Sequence, residues 1–345
     1  MSESEIGPPG AKGEVAGERD PLPVTLESEH EEQIVAFENP RSPKWIVKGL
    51  LSNPSSLLGT LIIVFLGLVA VFAPILAPCP LEDPRQAAYC GRSPYAVPKH
   101  GFSVDPLPPS SEHPFGTTAQ QYDIYYGVVW GTRTAFKVGL AITFASLLIG
   151  LTIGSISAYY GGWIDEILMR VVEVFQAFPF LLAAITLATV LRAQPRFQGV
   201  TPAVIALVAF SWTSYARLVR ADILSVKQRD FVWASRSLGA SDLRIIAKHV
   251  LPNSIYPVLV VASLDIGTIV VTFAALSFFG IGVPAGYADW GQMINFARNW
   301  IPSLATHWYI IVFPGMAIVL FVLAWNLVGD ALRDILDPRL TGSRA

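Results

Sequence analysis

Six stretches of this chain are apolar all round rather than along one face. A helix on the surface of a soluble protein alternates apolar and polar faces every 3.6 residues, and here that alternation is missing. The stretches run from Leu57 to Ala77, from Val138 to Tyr160, from Val174 to Leu191 and between Arg196 and Arg217. A fifth runs from about Ser254 to Val283, interrupted by Asp265, and a sixth from about Trp308 to Gly329. Crossing a hydrocarbon layer about 30 Å thick takes about 20 residues at 1.5 Å each. The pattern predicts an all-α integral membrane protein with six transmembrane helices in a lipid bilayer.

Lys and Arg in the connections orient those helices, because basic residues collect on the cytoplasmic side. The segment 217–253 carries Arg217, Arg220, Lys227, Arg229, Arg236, Arg244 and Lys248, whereas its neighbours carry little beyond Arg192, Arg196 and Arg298. It is therefore assigned to the cytoplasm. Counting through the spans puts both termini there too, in agreement with Arg41, Lys44 and Lys48 before the first span and Arg333, Arg339 and Arg344 at the end. Trp45, Trp163, Trp300 and Trp308 suit the two membrane–water belts.

Composition adds to this picture. The 345 residues are 52% hydrophobic and only 14% charged, with a net charge of −2. A soluble domain carries about 25% charged residues, and a nucleic-acid-binding protein needs a basic surface. Both classes are excluded. Residues 1–40 hold ten acidic and two basic side chains with little apolar periodicity, which is too little apolar surface to offset chain entropy. The chain divides into a disordered acidic tail and pre-membrane segment (1–50), a six-span domain (51–340) and a short C-terminal tail (341–345). Within the domain, 78–135 is an extracytoplasmic loop. Cys79 and Cys90 both fall in it, on the oxidising side, where they can form a bridge; the alternative is two thiols in a Pro-rich loop.

Motifs of chemistry are missing. There is no G-x-x-x-x-G-K-[ST] phosphate loop and no H-E-x-x-H or cysteine–histidine metal pattern, so no catalytic residue and no metal site is assigned. Polar groups at membrane depth are the candidates for a translocation pathway, because a charge in the bilayer is costly. Asp265 leads, followed by Glu173, which can also pair with Arg170 one turn earlier, and then Gln176, Asn295 and Asn326. Structural hydrogen bonding between spans is the alternative for Asp265, Gln176, Asn295 and Asn326, and an interfacial position at the inner end of the third span is the alternative for Glu173.

The cytoplasmic segment is the most specific stretch of the chain. Helical periodicity from Asp230 to Leu238 ends at Gly239, a residue suited to a left-handed stop. Ser241 and Asp242 then open a second short helix, which gives way to the next span at Pro252. Ala234, Ser235 and Gly239 allow close approach, and Phe231, Val232 and Trp233 offer apolar area. The result is either a helix hairpin on the membrane surface or a docking element.

This segment resembles the EAA loop of ABC-importer permeases, with Gly239 and Val250-Leu251-Pro252 in the matching places. Further matches are Asn53-Pro54, Phe72-Ala73-Pro74, His113-Pro114-Phe115-Gly116-Thr117, Gly161-Gly162 with Asp165, and Met169-Arg170. They continue through Phe178-Pro179-Phe180, Leu276-Ser277-Phe278-Phe279-Gly280, Trp290-Gly291 and Gly329-Asp330 to Leu336-Asp337-Pro338-Arg339. Over about 50–340 the chain is similar to the C-type permease subunit of oligopeptide/dipeptide importers. The resemblance implies an importer-type ABC permease fold in the cytoplasmic membrane of a prokaryote. It implies a paralogous permease subunit, two cytoplasmic ATPase subunits that carry ATP and Mg, and an extracytoplasmic substrate-binding protein. Phe231, Trp233, Ala234, Ser235, Gly239, Leu251 and Pro252 would then couple this chain to an ATPase.

The family pattern is not matched everywhere. Trp233 stands where a Glu commonly opens the EAA motif, and Ser235 replaces its last Ala. Outside, Gly116-Thr117-Thr118 and Gln121-Tyr122-Asp123 replace G-T-D and G-R-D, keeping only Asp123. Nickel complexes or oligosaccharides are alternative substrates within the family. An ion-gradient-driven secondary transporter or channel is the alternative outside it.

Overall fold

The computed structural model describes residues 49–336 except 52, 81–87, 89 and 102–104. The acidic tail, Trp45, the basic residues at 41, 44 and 48, and the segment 337–345 lie outside the described residues. Five helices are long and apolar enough to cross a membrane: α1 (Pro54–Leu76), α2 (Ile124–Tyr160), α5 (Thr201–Val226), the run Asp242–Phe278, and α11 (Tyr309–Leu336). A sixth crossing is the bent pair α3 (Gly162–Gln176) and α4 (Phe180–Arg192).

Four expected boundaries move. The third span is not one uninterrupted helix over 174–191. It starts at Gly162 and turns by 85° between α3 and α4, because Pro179 lacks an N–H and pushes Phe178 out of the helical region. The second span begins at Ile124 rather than Val138, capped by Asp123, whose carboxylate accepts from the Tyr126 N–H at 2.7 Å. The connection ahead of α2, read from the sequence as extending to 135, therefore ends at Asp123. The fourth span continues to Val226, so the basic connection begins at Lys227 rather than 217. Finally, Pro252 does not separate a short helix from the fifth span. The chain runs unbroken from α7 (Asp242–Ile245) through a π turn at Ile246–Val250 into α8 (Leu251–Phe278). The wider π turn spares the carbonyl that a proline ring would strike in a regular helix.

Three apolar clusters join these helices. Leu147 and Tyr159 of α2 meet Tyr215, Val219 and Ile223 of α5 and Val258 of α8 at one end. Val138 and Ile142 meet Ala184 and Ala188 of α4, Leu207 of α5 and Phe273 of α8 further along. Leu66 of α1, Ile266 of α8, Phe321 of α11 and Trp290 form the third. The α2–α5 pair is closest at Gly150 and Gly154, where an added Cβ would come within 3.0 Å of the Trp212 carbonyl and 2.5 Å of the Ala216 carbonyl. Small residues four apart are the usual way for membrane helices to bring backbones together. The opposite surfaces are apolar and exposed, among them Phe65 and Val71 of α1, Trp163 of α3 and Val319 of α11. Lipid covers such faces at no penalty.

Candidate functional site

The connection after α5 forms a small knob. Arg229 is extended, and α6 (Asp230–Ser237) follows and stops at Gly239, whose φ of +77° is the left-handed stop that glycine makes without strain. Ser241 sits at the N-cap of α7 in extended conformation, without a side-chain bond to the helix. One residue of α6 faces inward: Val232 is buried with Val226, Ile245, Val250 and Tyr159. The rest of its apolar surface faces out. Phe231 is 37% and Trp233 57% exposed, and the flanking Leu238 and Leu243 reach 88% and 76%. Ala234 and Gly239 are exposed, and Ser235 is partly so. Leu251 and Pro252 lie at the base, on the first turn of α8.

Polar bonds fix the knob to the end of α2. The Tyr159 hydroxyl donates to Asp242 at 2.6 Å and accepts from Arg236 at 3.1 Å. The Arg236 guanidinium also lies over the rings of Tyr159 and Trp233, at 5.6 and 5.7 Å. It contributes a cation–π contact to each. Lys227 donates to the Ala158 carbonyl at 2.5 Å. Behind them, Arg220 grips Asp165 with two bonds of 2.6 Å, and Ser157 donates to the same carboxylate. A bidentate pair of this kind is directional, so α3, α5 and the end of α2 act as one base for the knob. Sequence reasoning missed Tyr159, Arg236 and Asp242 as its struts, and Leu238 and Leu243 as part of its outer face. Two leucines flanking a glycine in an otherwise polar turn were the available signal.

The pathway candidates are not brought together. Glu173 and Gln176 are exposed on α3, and Glu173 accepts from Arg170 at 2.9 Å. Asp265 is half-buried on α8 beside the Tyr215 hydroxyl of α5. Asn326 is exposed on α11. Asn295 lies outside the spans, on α9 (Trp290–Ala297), and donates to the Phe278 carbonyl, closing the end of α8. Among the described residues no hydrogen bond or ion pair links any two of these five. Cys79 and Cys90 form a disulfide with their Cα atoms 5.7 Å apart.

Residues 150–342, which contain the whole knob, match the family described as binding-protein-dependent transport system inner membrane component. The chain is 36% identical over 293 residues to the dipeptide transport system permease protein DppC of Alkalihalophilus pseudofirmus, covering 85% of this chain and 88% of that protein. It is 36% identical over 294 residues to the oligopeptide transport system permease protein OppC of Bacillus subtilis, covering 84% and 87%. It is 39% identical over 232 residues to the glutathione transport system permease protein GsiD of Pectobacterium atrosepticum, covering 67% and 74%. Among solved structures, the MetNI methionine ABC transporter in an inward-facing conformation superposes with a TM-score of 0.52. That likeness covers 61% of this chain and 97% of the other at 20% identity, and it shows a shared fold. This chain belongs to the family of binding-protein-dependent transport system inner membrane components and is a multi-pass permease subunit of the ABC type.

Proposed function

We propose that this permease forms half of an ATP-driven import pathway for dipeptides or oligopeptides in the cytoplasmic membrane of a prokaryote. The other half is a paralogous permease, two cytoplasmic ATPase subunits supply ATP and Mg, and an extracytoplasmic binding protein delivers the substrate. Both termini and the knob face the cytoplasm, as the distribution of basic residues argues. The observation that carries the reading is the outward apolar face of Phe231, Trp233, Leu238 and Leu243 on a knob strutted by Tyr159, Arg236 and Asp242. A surface that is apolar outside and rigidly braced inside suits a lever pressed into a groove of another protein. Nucleotide-driven closure of the ATPases would shift the knob, and the continuous helix Asp242–Phe278 would carry that shift into the membrane. Coupling of this kind requires two global states that ATP and substrate bias differently. The peptide substrate is supported by the relatives named for dipeptides, oligopeptides and glutathione.

The test is uptake of labelled peptides, nickel chelates and oligosaccharides into proteoliposomes holding the full complex. Trp233→Ala is expected to leave helicity and assembly of the membrane subunits intact. It should lower ATP-dependent uptake at least tenfold and abolish stimulation of the ATPase by substrate. Unchanged uptake, or uptake by this chain alone without ATP, overturns the reading.

A further inference from the structure

The connection between α1 and α2 holds a grouping of side chains that transport coupling does not use. His100, Glu112 and His113 each place one potential ligand atom within 4.8 Å of the other two. The His100 and His113 rings pack edge to face at 4.5 Å, and His100 Nε2 lies 3.8 Å from a Glu112 carboxylate oxygen. Backbone bonds hold His100 and His113 in place. The His100 N–H donates to the Gln121 carbonyl at 2.8 Å, beside a bridge between Lys99 and Tyr122. The Ser110 N–H donates to the His113 carbonyl at 2.8 Å, and the His113 N–H returns a bond to the Ser110 hydroxyl at 3.1 Å.

His113 is the informative member. It is 94% buried, as its 6% exposure shows, and its Nδ1 is 2.7 Å from Asp123 Oδ2. The other oxygen of Asp123 caps α2, so the carboxylate cannot swing away. Its other nitrogen, Nε2, is buried and has no hydrogen-bond partner among the described residues. A buried polar atom without a partner calls for a specific explanation. With Asp123 accepting the Nδ1 proton, Nε2 carries the lone pair that a metal ion takes. A carboxylate behind a ligating histidine is the usual support of such a ligand, because it sets the tautomer and raises the basicity of the ring.

We propose that His100, Glu112 and His113 bind a divalent transition-metal ion of the zinc type, with Asp123 as the positioning residue behind His113. Two imidazoles and a carboxylate are a donor set that zinc accepts, with ligands at about 2.0–2.2 Å and a fourth position left open. Tetrahedral ligands at that distance stand about 3.4 Å apart. Reaching it requires His100, which is partly exposed, and Glu112, which is exposed, to move toward the buried His113. The ion would tie residue 100 to residues 112–113 and, through Asp123, to the first turn of α2. The fourth position would be open to water or to a donor group of an approaching protein.

The experiment uses the full-length chain, purified in detergent with a tag free of histidine, stripped with chelator and titrated with Zn(II) alone. One zinc per chain is expected. His100→Ala, at a partly exposed side chain, and Glu112→Ala, at an exposed one, should each weaken binding at least tenfold while helicity is unchanged. Asp123→Asn, which keeps a cap, should weaken it about 10–100-fold. Replacing His249 and His307 by Gln should leave the affinity as it was. Amide exchange over 100–123 should slow on adding Zn(II) in the parent chain and not in His100→Ala. Absence of stoichiometric zinc overturns the proposal, as does an affinity that survives both His100→Ala and Glu112→Ala. Because the binding is read on the isolated chain without ATP or substrate, its failure leaves the transport reading untouched, and the reverse holds too.

Discussion

Two connections between membrane helices, 77–123 and 227–241, have opposite construction. The first buries Cys90, Val97, His113, Thr117, Thr118 and Gln121 among its described residues. Its disulfide joins Cys79 to Cys90, Trp130 donates to the Ala77 carbonyl at 3.0 Å, Tyr126 to the Pro94 carbonyl at 2.8 Å, and Tyr309 to the Pro106 carbonyl at 3.1 Å. It also packs on the segment before α9, where Tyr95 stacks on Tyr287 at 5.3 Å and the Ala288 N–H donates to the Tyr95 carbonyl at 2.7 Å. The second connection places Val232 in the core and leaves Phe231, Trp233 and Leu238 outside, with Leu243 exposed just beyond it on α7. The cap is finished by its own chain, whereas the knob has its struts and lacks a cover. Burial is what a chain does with apolar surface it can satisfy alone. The knob's apolar face is thus left uncovered by its own chain, which is the face the proposed coupling to an ATPase would use.

Two glycines put the contrast to its hardest test. Gly291, on the cap side, sits against the backbone of Ala274 in α8, and an added Cβ would collide with that residue's carbonyl oxygen. Backbone cannot rotate away as a side chain can, so Gly291→Ala is expected to cost about 3 kcal/mol or more and to prevent stable insertion. Gly239, in the knob, has nothing within 4 Å of the same added atom, and only its φ of +77° resists substitution. Gly239→Ala should cost about 1–2 kcal/mol locally, and a bulky residue there should leave the protein inserted while uncoupling ATP hydrolysis from transport. Detergent thermal unfolding beside peptide uptake separates the two. If Gly239→Ala unfolded the chain as Gly291→Ala does, the knob would not be an independent appendage.

The cap side also carries a pH signature. Asp289 is buried, caps α9 by accepting from the Gln292 N–H at 2.9 Å, and has its carboxyl pushed up to about 6 by burial. The folded-state value lies above the unfolded one of about 3.9, so the folded chain takes up its proton first as pH falls. The resulting gain in stability is absent above about pH 7, grows through pH 6 and is complete near pH 4. Asp289→Asn keeps a cap and removes the titration. Relative to that variant, the parent chain should gain about 2 kcal/mol between pH 7 and pH 4, read as the difference between two unfolding series. A pH-independent difference would show that the carboxylate is not desolvated.

Reducing the disulfide is a milder perturbation of the same region. It closes a loop with a sequence separation of 11, worth about 2–3 kcal/mol on the chain-entropy estimate. Cys79→Ser should lower the unfolding temperature and speed exchange in the cap while leaving exchange over 230–245 unchanged. A response in the knob would mean that the two connections are not separately held.

The sequence carried the helices further than their ends. Spans were legible because an all-apolar run needs no partner to be recognised, and the knob because Gly239 punctuates it. The 85° bend at Pro179 escaped because the apolar run continues across it, and the unbroken helix through Pro252 because a π turn absorbs the proline locally. Pathway residues were the least legible. Asn295 reads as a polar group near a span, and only the fold shows it closing α8 at Phe278. The struts were hidden for a simpler reason: Tyr159 and Asp242 are 83 residues apart, and nothing local announces such a pair.

The smallest effect concerns a departure from the family pattern inside the cap. Gln121 opens the Gln121-Tyr122-Asp123 that stands against G-R-D in the family resemblance, and it has a φ of +64°, the one positive value among described residues other than glycine. Such a backbone costs an ordinary residue about 1–2 kcal/mol. Against this, its side chain is buried, donates to the Asp105 carbonyl at 2.7 Å and accepts from the Thr117 hydroxyl at 3.5 Å. The shorter bond is worth about 1 kcal/mol net and the longer one little. Gln121→Gly relieves the first quantity and forfeits the second, so stability should be unchanged or rise by up to about 1 kcal/mol. Gln121→Ala keeps the strain and loses the bonds, leaving the Asp105 carbonyl without this donor, and should fall by about 1 kcal/mol below the parent. The order Gly at or above Gln, and Ala below both, separates backbone strain from side-chain bonding. If Ala matched Gly, the bonds rather than the backbone would account for the residue, and the glycine of the family pattern would have no conformational reason at this position.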